Sequence, residues 1–367
     1  MDRRLFLGSA GASGLLVGCA GTRGSEPLST LLPGACLPRV DARQELIIAE
    51  IAGLRPFRRQ GFRVEAEALN GKRLVHNYGH GGGGITLSWG TGKLATALGL
   101  PGHSGSVAVI GAGAVGLATA RLVQEAGLPV TIYAKALPPE TTSNIAGGQI
   151  APHGAYSRSV ATAPFLAQLE AAMAYSWRRF QLLAGEEYGV RWLPTYEKVA
   201  NFDPSTYGIY ARDARLLDPR EHPFDEPQVA LWHTMYVEVG RYLRNLLRDF
   251  RQAGGMIEVR AFRDMAGIAG LSESLVFNCT GIGARELVGD ETLHPARGQL
   301  SVLMPQPEVR YAYHMGGPYM FPRPDGVLLG GSWELDNWDT EPDPALAARI
   351  LAGHARVMER WRCAPAV

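Results

Sequence analysis

Cysteine is scarce in this chain: four occur among 367 residues, at positions 19, 36, 279 and 363. Any role for a thiol therefore has to be read from where it stands. An excess of charge of one sign is missing too, since 36 Lys and Arg against 35 Asp and Glu leave a formal net charge of +1. That balance argues against a basic face and so against nucleic acid as a partner. No apolar run reaches the ~20 residues that span a bilayer, the nearest being Leu5 to Val17. No internal repeat, no metal site and no low-complexity stretch beyond one glycine run is expected. Hydrophobic residues make up 46%, enough for a full core in one large or two intertwined domains.

The first residues carry their own signal. Asp2-Arg3-Arg4-Leu5-Phe6-Leu7 followed by a short apolar stretch reads as a cleaved twin-arginine export signal. Leu16-Val17-Gly18-Cys19 resembles a bacterial lipobox, in which the cysteine is lipidated and becomes the mature N-terminus. Residues 1–35 are thus expected to be an export signal and polar linker, and the mature protein to be periplasmic or tethered to a membrane surface through Cys19. Cleavage without lipid is the alternative.

Further on, Asp41 to Ala52 has a helical apolar face with Asp41 as N-cap. Phe62 to Ala68 and Leu74 to His76 alternate as strands around an Asn70-Gly71 hairpin signal. A glycine tract follows, His76-Asn77-Tyr78-Gly79-His80-Gly81-Gly82-Gly83-Gly84-Ile85-Thr86, and Leu87 to Leu98 reads as a helix. Val107 to Ile110, Val115 to Ala126 and Pro129 to Tyr133 form a βαβ pattern. Helices are expected over 165–183, 239–253 and 344–361, a buried parallel strand over Leu275 to Thr280, and antiparallel strands over 299–304, 309–315, 319–322 and 327–330.

Gly111-Ala112-Gly113-Ala-Val-Gly116 occupies the first corner of the βαβ unit. Such glycines permit a tight turn, close approach of backbone to a pyrophosphate and close helix packing, with the helix N-terminus facing the anion. The strand-then-helix context raises this fingerprint above a chance GxGxxG. After the second strand stands Lys135, where an acidic residue often receives the ribose hydroxyls. Lysine there leaves a phosphorylated ribose, as in NADP, open.

Both glycine motifs, together with Thr141-Thr142-Ser143-Asn144-Ile-Ala-Gly147-Gly148-Gln149, Gly53-Leu54-Arg55-Pro56-Phe57-Arg58, Asn278-Cys279-Thr280-Gly281, Arg297-Gly298-Gln299 and Leu329-Gly330-Gly331-Ser332-Trp333, resemble the D-amino-acid oxidase family of flavoenzymes. That family carries the two glycine motifs in the opposite order. The resemblance implies FAD as cofactor and an α/β fold with a Rossmann-like FAD-binding domain (36–155, 265–297 and 336–363). It also implies a smaller antiparallel-sheet substrate domain (156–264 and 298–335), all in circularly permuted order. If the order is permuted, Cys36 and Cys363 stand where the family's chain is nearly continuous, and a disulfide would replace the missing link. Two unpaired terminal thiols are the alternative.

The resemblance further implies contacts to FAD from Gly111, Ala112, Gly113, Gly116, Lys135, Thr141, Thr142, Ser143, Gly148, Gln149 and Thr280. Gly81, Gly84, Ile85 and Thr86 would pass the flavin's pyrimidine edge, where backbone dipoles stabilise accumulating negative charge. The backbone at Gly82 would accept a hydrogen bond from a substrate amine. The implied reaction is hydride transfer from the α-carbon of an amino acid or amine to the flavin, with O2 as acceptor giving H2O2 and an imine that hydrolyses. The family's lid tyrosines have no counterpart in Pro227 to Leu231. Its carboxylate-binding arginine is expected at 312, which is Ala312, so Arg310, on the same strand face, is the substitute candidate. His153, Tyr313, Tyr319 and Arg323 are secondary candidates for the pocket. His76, His80, Trp333 and Trp338 read as structural. Two further readings are a flavin-loaded tethered binding protein without turnover, and a dehydrogenase passing electrons to a membrane acceptor.

Overall fold

A computed structural model describes residues 31–363. The export-signal and lipobox readings, including Cys19, fall outside them. Among the described residues no helix is long and apolar enough to cross a membrane.

The chain begins with β1 (Ile47–Arg58), β2 (Arg63–Leu69), β3 (Lys72–Tyr78), α1 (Gly84–Gly99), β4 (Val107–Ile110), α2 (Ala114–Glu125) and β5 (Val130–Ala134). It continues through α3 (Ala163–Leu182), β6 (Val190–Lys198), β7 (Arg215–Leu216), β8 (Val229–Val237), α4 (Val239–Gln252), β9 (Met256–Val259), α5 (Met265–Ala269), β10 (Leu275–Asn278) and α6 (Ala284–Leu287). It closes with β11 (Leu293–Leu303), β12 (Ala312–His314), β13 (Tyr319–Arg323), β14 (Gly326–Gly330), β15 (Glu334–Leu335) and α7 (Pro344–Glu359).

Six strands form one sheet in the order β2-β3-β10-β4-β5-β9. Its inner strands β3, β10, β4 and β5 run parallel. The hairpin β2–β3 turns at Asn70 and Gly71, both at positive φ as a two-residue hairpin turn requires. Val107 to Ile110 are all buried, the continuous apolar run expected of a parallel strand covered on both faces.

The helical reading of 41–52 is corrected. After one short turn at Gln44–Leu46 the chain enters β1 and pairs antiparallel with β11, Gly53 opposite Gly298 and Arg55 opposite Ala296. The β-branched run Ile47, Ile48 and Ile51 suits a strand, and pairing with a strand some 240 residues away decides the matter over local periodicity. This second sheet has nine strands, β1-β11-β14-β13-β12-β6-β8-β7 with β15 beside β11, more than the motifs indicated. The β12–β6 pairing within it is parallel.

One continuous row crosses this second sheet. Ile51 pairs with Leu300, Leu300 with Gly330, Gly330 with Tyr319, Tyr319 with His314, and His314 with Glu197. Paired residues on neighbouring strands share a face. Arg55, Gly53, Gly298 and Ala296, at even spacings along β1 and β11, share it too.

Cys36 and Cys363 are joined by a disulfide, their Cα atoms 5.6 Å apart. Among the described residues Cys279 is the free thiol, buried beneath the first nucleotide turn.

Candidate functional site: a cofactor cavity between two sheets

A cavity of about 630 Å³ runs between the end of the parallel sheet and the face of the second. One end is built at the β4–α2 corner. Gly111 has φ +111°, and a Cβ there would lie 2.4 Å from the carbonyl oxygen of Cys279, so this corner tolerates only glycine. Gly113 is the N-cap of α2 and has no side chain to occupy the helix end. Gly116 does not line the cavity. A Cβ on it would come within 2.0 Å of the Gly111 oxygen, so its part is to let the helix lie on the turn.

Residues 111–115, Lys135, Thr141, Thr142, Ser143 and Thr280 all line this end. The Ser143 hydroxyl accepts from the Ala114 N–H at 3.0 Å, fastening the 141–145 loop to the start of α2. Lys135 shares the far end with Arg260 and Arg263, two cations that reading the sequence did not single out.

At the other end lies the glycine tract. Gly81 has φ +54°, and a Cβ there would strike the Gly154 oxygen at 2.2 Å. The Gly82 N–H is taken by that same oxygen at 2.9 Å, while Gly82 stays exposed on the cavity wall. Gly84 and Ile85 open α1 and line the cavity, so the positive end of a helix of 16 residues points into it.

Several expected contacts act at one remove. The Thr86 hydroxyl donates to the backbone oxygens of Gln149 and Ala151, at 3.1 and 3.0 Å, and thereby ties α1 to the following loop. Gly148, at φ +91°, packs so that a Cβ would meet the Val237 oxygen at 2.1 Å. Gln149 donates to the Tyr236 hydroxyl at 2.6 Å and bonds His314 at 3.2 Å. These three stand behind the cavity wall rather than on it.

Arg310 is a correction. It lies outside β12 on an exposed loop, and its Nε donates to the Pro307 oxygen at 3.4 Å. The strand begins only at Ala312, so the expected alternation does not reach back to it. On the cavity wall that carries the glycine tract the guanidinium is that of Arg55 instead. It lies 5.1 Å from the centroid of the Trp333 indole and covers Gly298, where a Cβ would stand 2.2 Å from its Nη1. Among the described residues no carboxylate pairs with it, and its one polar contact is the Ala296 oxygen at 3.5 Å. Arg55 stood within a motif quoted for its resemblance, but only the β1–β11 register shows which face it takes.

Of the secondary candidates, Tyr319 lines the cavity. His153 is exposed beside Gly82, its backbone oxygen 2.7 Å from where a Cβ on Gly82 would stand. Tyr313 is buried on the opposite face, bonded to His354 at 2.7 Å, and Arg323 pairs with Asp325 at 2.7 Å. His80 is buried and bonded to Thr91 at 2.8 Å, with burial pushing its pKa down to about 3. His76 is likewise buried, against Asn278. Both are structural.

The cavity's shape, a glycine turn for a pyrophosphate at one end and a glycine tract under the second sheet at the other, fits a dinucleotide. The family model for FAD-dependent oxidoreductases matches residues 26–98 and 106–364. The chain belongs to that family. FAD is therefore its cofactor, and the cavity contains the space and the glycines that FAD requires. Among curated relatives, a D-amino-acid oxidase of Streptomyces coelicolor is 33% identical over 258 residues, covering 68% of this chain and 76% of that one. A D-amino-acid oxidase of Rubrobacter xylanophilus is 31% identical, covering 69% of this chain and 77% of the relative. Human D-aspartate oxidase is 27% identical over 67% of this chain and 74% of its own. Among solved structures, a glycine oxidase from Geobacillus kaustophilus superposes with a TM-score of 0.53 at 16% identity, covering 71% of this chain and 81% of that one, a likeness of fold.

Proposed function

We propose that this flavoenzyme oxidises amino acids at the α-carbon, with O2 as acceptor. The observation that carries the reading is Arg55, an unpaired guanidinium on the cavity wall with two N–H donors available for a substrate carboxylate. Trp333 and Gly298 hold it from either side. FAD, when bound, supplies the two-electron acceptor. The protein's own contribution is orientation: Arg55 takes the carboxylate, the Gly82 carbonyl takes a hydrogen bond from the amine, and the substrate's α-carbon is thereby held against the cofactor. At the far end, the first turn of α2, Ser143 and Thr280 would hold the pyrophosphate, with Lys135, Arg260 and Arg263 around the adenosine. Anaerobic bleaching of the yellow protein tests the reading, using D- and L-amino acids against the corresponding amines without a carboxylate. Bleaching by amino acids but not by the amines is expected, and bleaching by none of them rejects it. Peroxide formation in air identifies O2 as the acceptor.

We further infer that the chain is circularly permuted and exported. The family model breaks into two stretches around residues 99–105, and the cysteines near the two ends are bonded, which supports the first inference. A disulfide also suits an oxidising compartment, which, with the twin-arginine leader and lipobox, supports export and a tether through Cys19. A re-permuted chain, opened before Val107 and joined through 363 and 36, is expected to fold and take up FAD. Globomycin-sensitive processing and palmitate labelling would test the tether.

A further inference from the structure

The sheet face that carries Tyr319 at the cavity wall continues beyond it. Tyr319, His314 and Glu197 are paired successively across β13, β12 and β6, so their side chains stand in a row about one strand spacing (~4.8 Å) apart on the face that covers the cofactor. The His314 and Tyr319 rings are 5.9 Å apart. Trp232 on β8, opposite Thr195, is on the same face. Its Nε1 donates to Glu197 Oε2 at 3.1 Å, and the Tyr207 hydroxyl donates to that same oxygen at 3.2 Å. Among the described residues Glu197 Oε1 has no hydrogen-bond partner.

His153 packs on this row. Its ring stands 5.6 Å from His314 and 6.4 Å from Trp232, and its backbone adjoins Gly82. The row thus runs from Tyr319, on the cavity wall with Gly82, to a carboxylate two strands away. Nothing around that carboxylate balances it. Lys198 is on the opposite face and pairs with Glu226 at 2.8 Å. Desolvation pushes the His314 pKa down to about 3, so that imidazole is neutral. Tyr207 and Trp232 are neutral donors. Among the described residues Glu197 has no cationic partner.

We propose that the substrate side chain lies along this row and that the preferred substrates are basic amino acids, whose terminal ammonium or guanidinium meets Glu197 while Arg55 holds the carboxylate at the other end. This rests on the amino-acid reading above. An apolar side chain of equal length would leave the carboxylate half-buried and unpaired, the situation in which a polar site discriminates most strongly. Tyr207 and Trp232 hold Oε2 and so leave Oε1 for the substrate.

The test uses the FAD-loaded full chain. kcat/KM is measured for lysine and arginine against norleucine, each in both hands, in the wild type and in Glu197→Gln. Glutamine keeps an oxygen for Tyr207 and Trp232, and an unchanged visible spectrum of bound flavin reports an intact fold. The expected result is a wild-type preference for lysine over norleucine of tenfold or more, entering mainly through KM, and a fall of that ratio by tenfold or more in Glu197→Gln. Equal use of norleucine and lysine by the wild type, or a ratio that Glu197→Gln does not move, overturns the proposal while leaving amino-acid oxidation standing. Reduction of the flavin by none of the three removes both.

Discussion

The Arg55 guanidinium lies 5.1 Å from the centre of the Trp333 indole. Trp333 is in turn edge-on to Phe57 at 5.3 Å and rests on Gly154, where a Cβ would come within 2.8 Å of its ring. The indole therefore braces the guanidinium against β1 and against Gly154, whose oxygen holds the Gly82 N–H of the glycine tract. A contact of this kind is worth about 1 kcal/mol at a partly exposed site. Trp333→Ala should accordingly raise KM for amino acids roughly fivefold with a smaller change in kcat. Arg55→Lys, which keeps the charge and loses the fork, should raise KM by tenfold or more. Steady-state kinetics on the substrate that best bleaches the flavin separates the two.

Gly111 sets the cofactor end. Alanine there must place its Cβ 2.4 Å from a backbone oxygen at φ +111°, so the β4–α2 turn has to open. Gly111→Ala is expected to purify colourless or to lose FAD on gel filtration, with the FAD Kd raised at least tenfold by fluorescence titration.

The disulfide closes a loop with a sequence separation of 327. Removing it by Cys36→Ser, Cys363→Ser or a reductant should cost on the order of 2–5 kcal/mol. The three treatments should lower Tm by the same amount. A reductant that lowers Tm further in the Cys36→Ser protein would point to another target.

Acid sensitivity follows from His354. It is buried, bonded to the Tyr313 hydroxyl at 2.7 Å and to the Gly330 oxygen at 3.0 Å, and burial pushes its pKa down to about 4. The unfolded chain binds a proton on this side chain below about pH 6.5 while the folded chain refuses it until about 4. Stability is therefore lost as pH falls through that window, by up to about 3 kcal/mol. His80, pushed down to about 3, acts in the same direction. Tm measured from pH 7 to 4 should fall, and His354→Gln should flatten part of the slope.

The motifs that were legible in the sequence are those whose meaning is local. Gly111 to Gly116 need only a strand before them and a helix after, and Asn70-Gly71 needs only its own φ values, so both are where they were expected. Arg55 and Arg310 illustrate the opposite case. Which of these two guanidinium groups faces the cavity depends on β1 pairing with β11 and on β12 starting only at 312, and neither is encoded in a window around the arginine. The same holds for Ile47 to Ile51, whose pattern suits a helix until a distant partner makes it a strand. Strands β6 and β8 escaped notice because their polar members Thr195, Glu197 and Thr234 turn toward the site, which blurs the apolar alternation.

The bond between residues 36 and 363 also governs how the molecule responds to proteases. A single cleavage anywhere between those two positions leaves one covalent piece, because the severed halves stay linked through sulfur. Release of a fragment takes a second cut or a reducing agent. A nicked sample would therefore run as intact on a gel until thiol is added to the loading buffer.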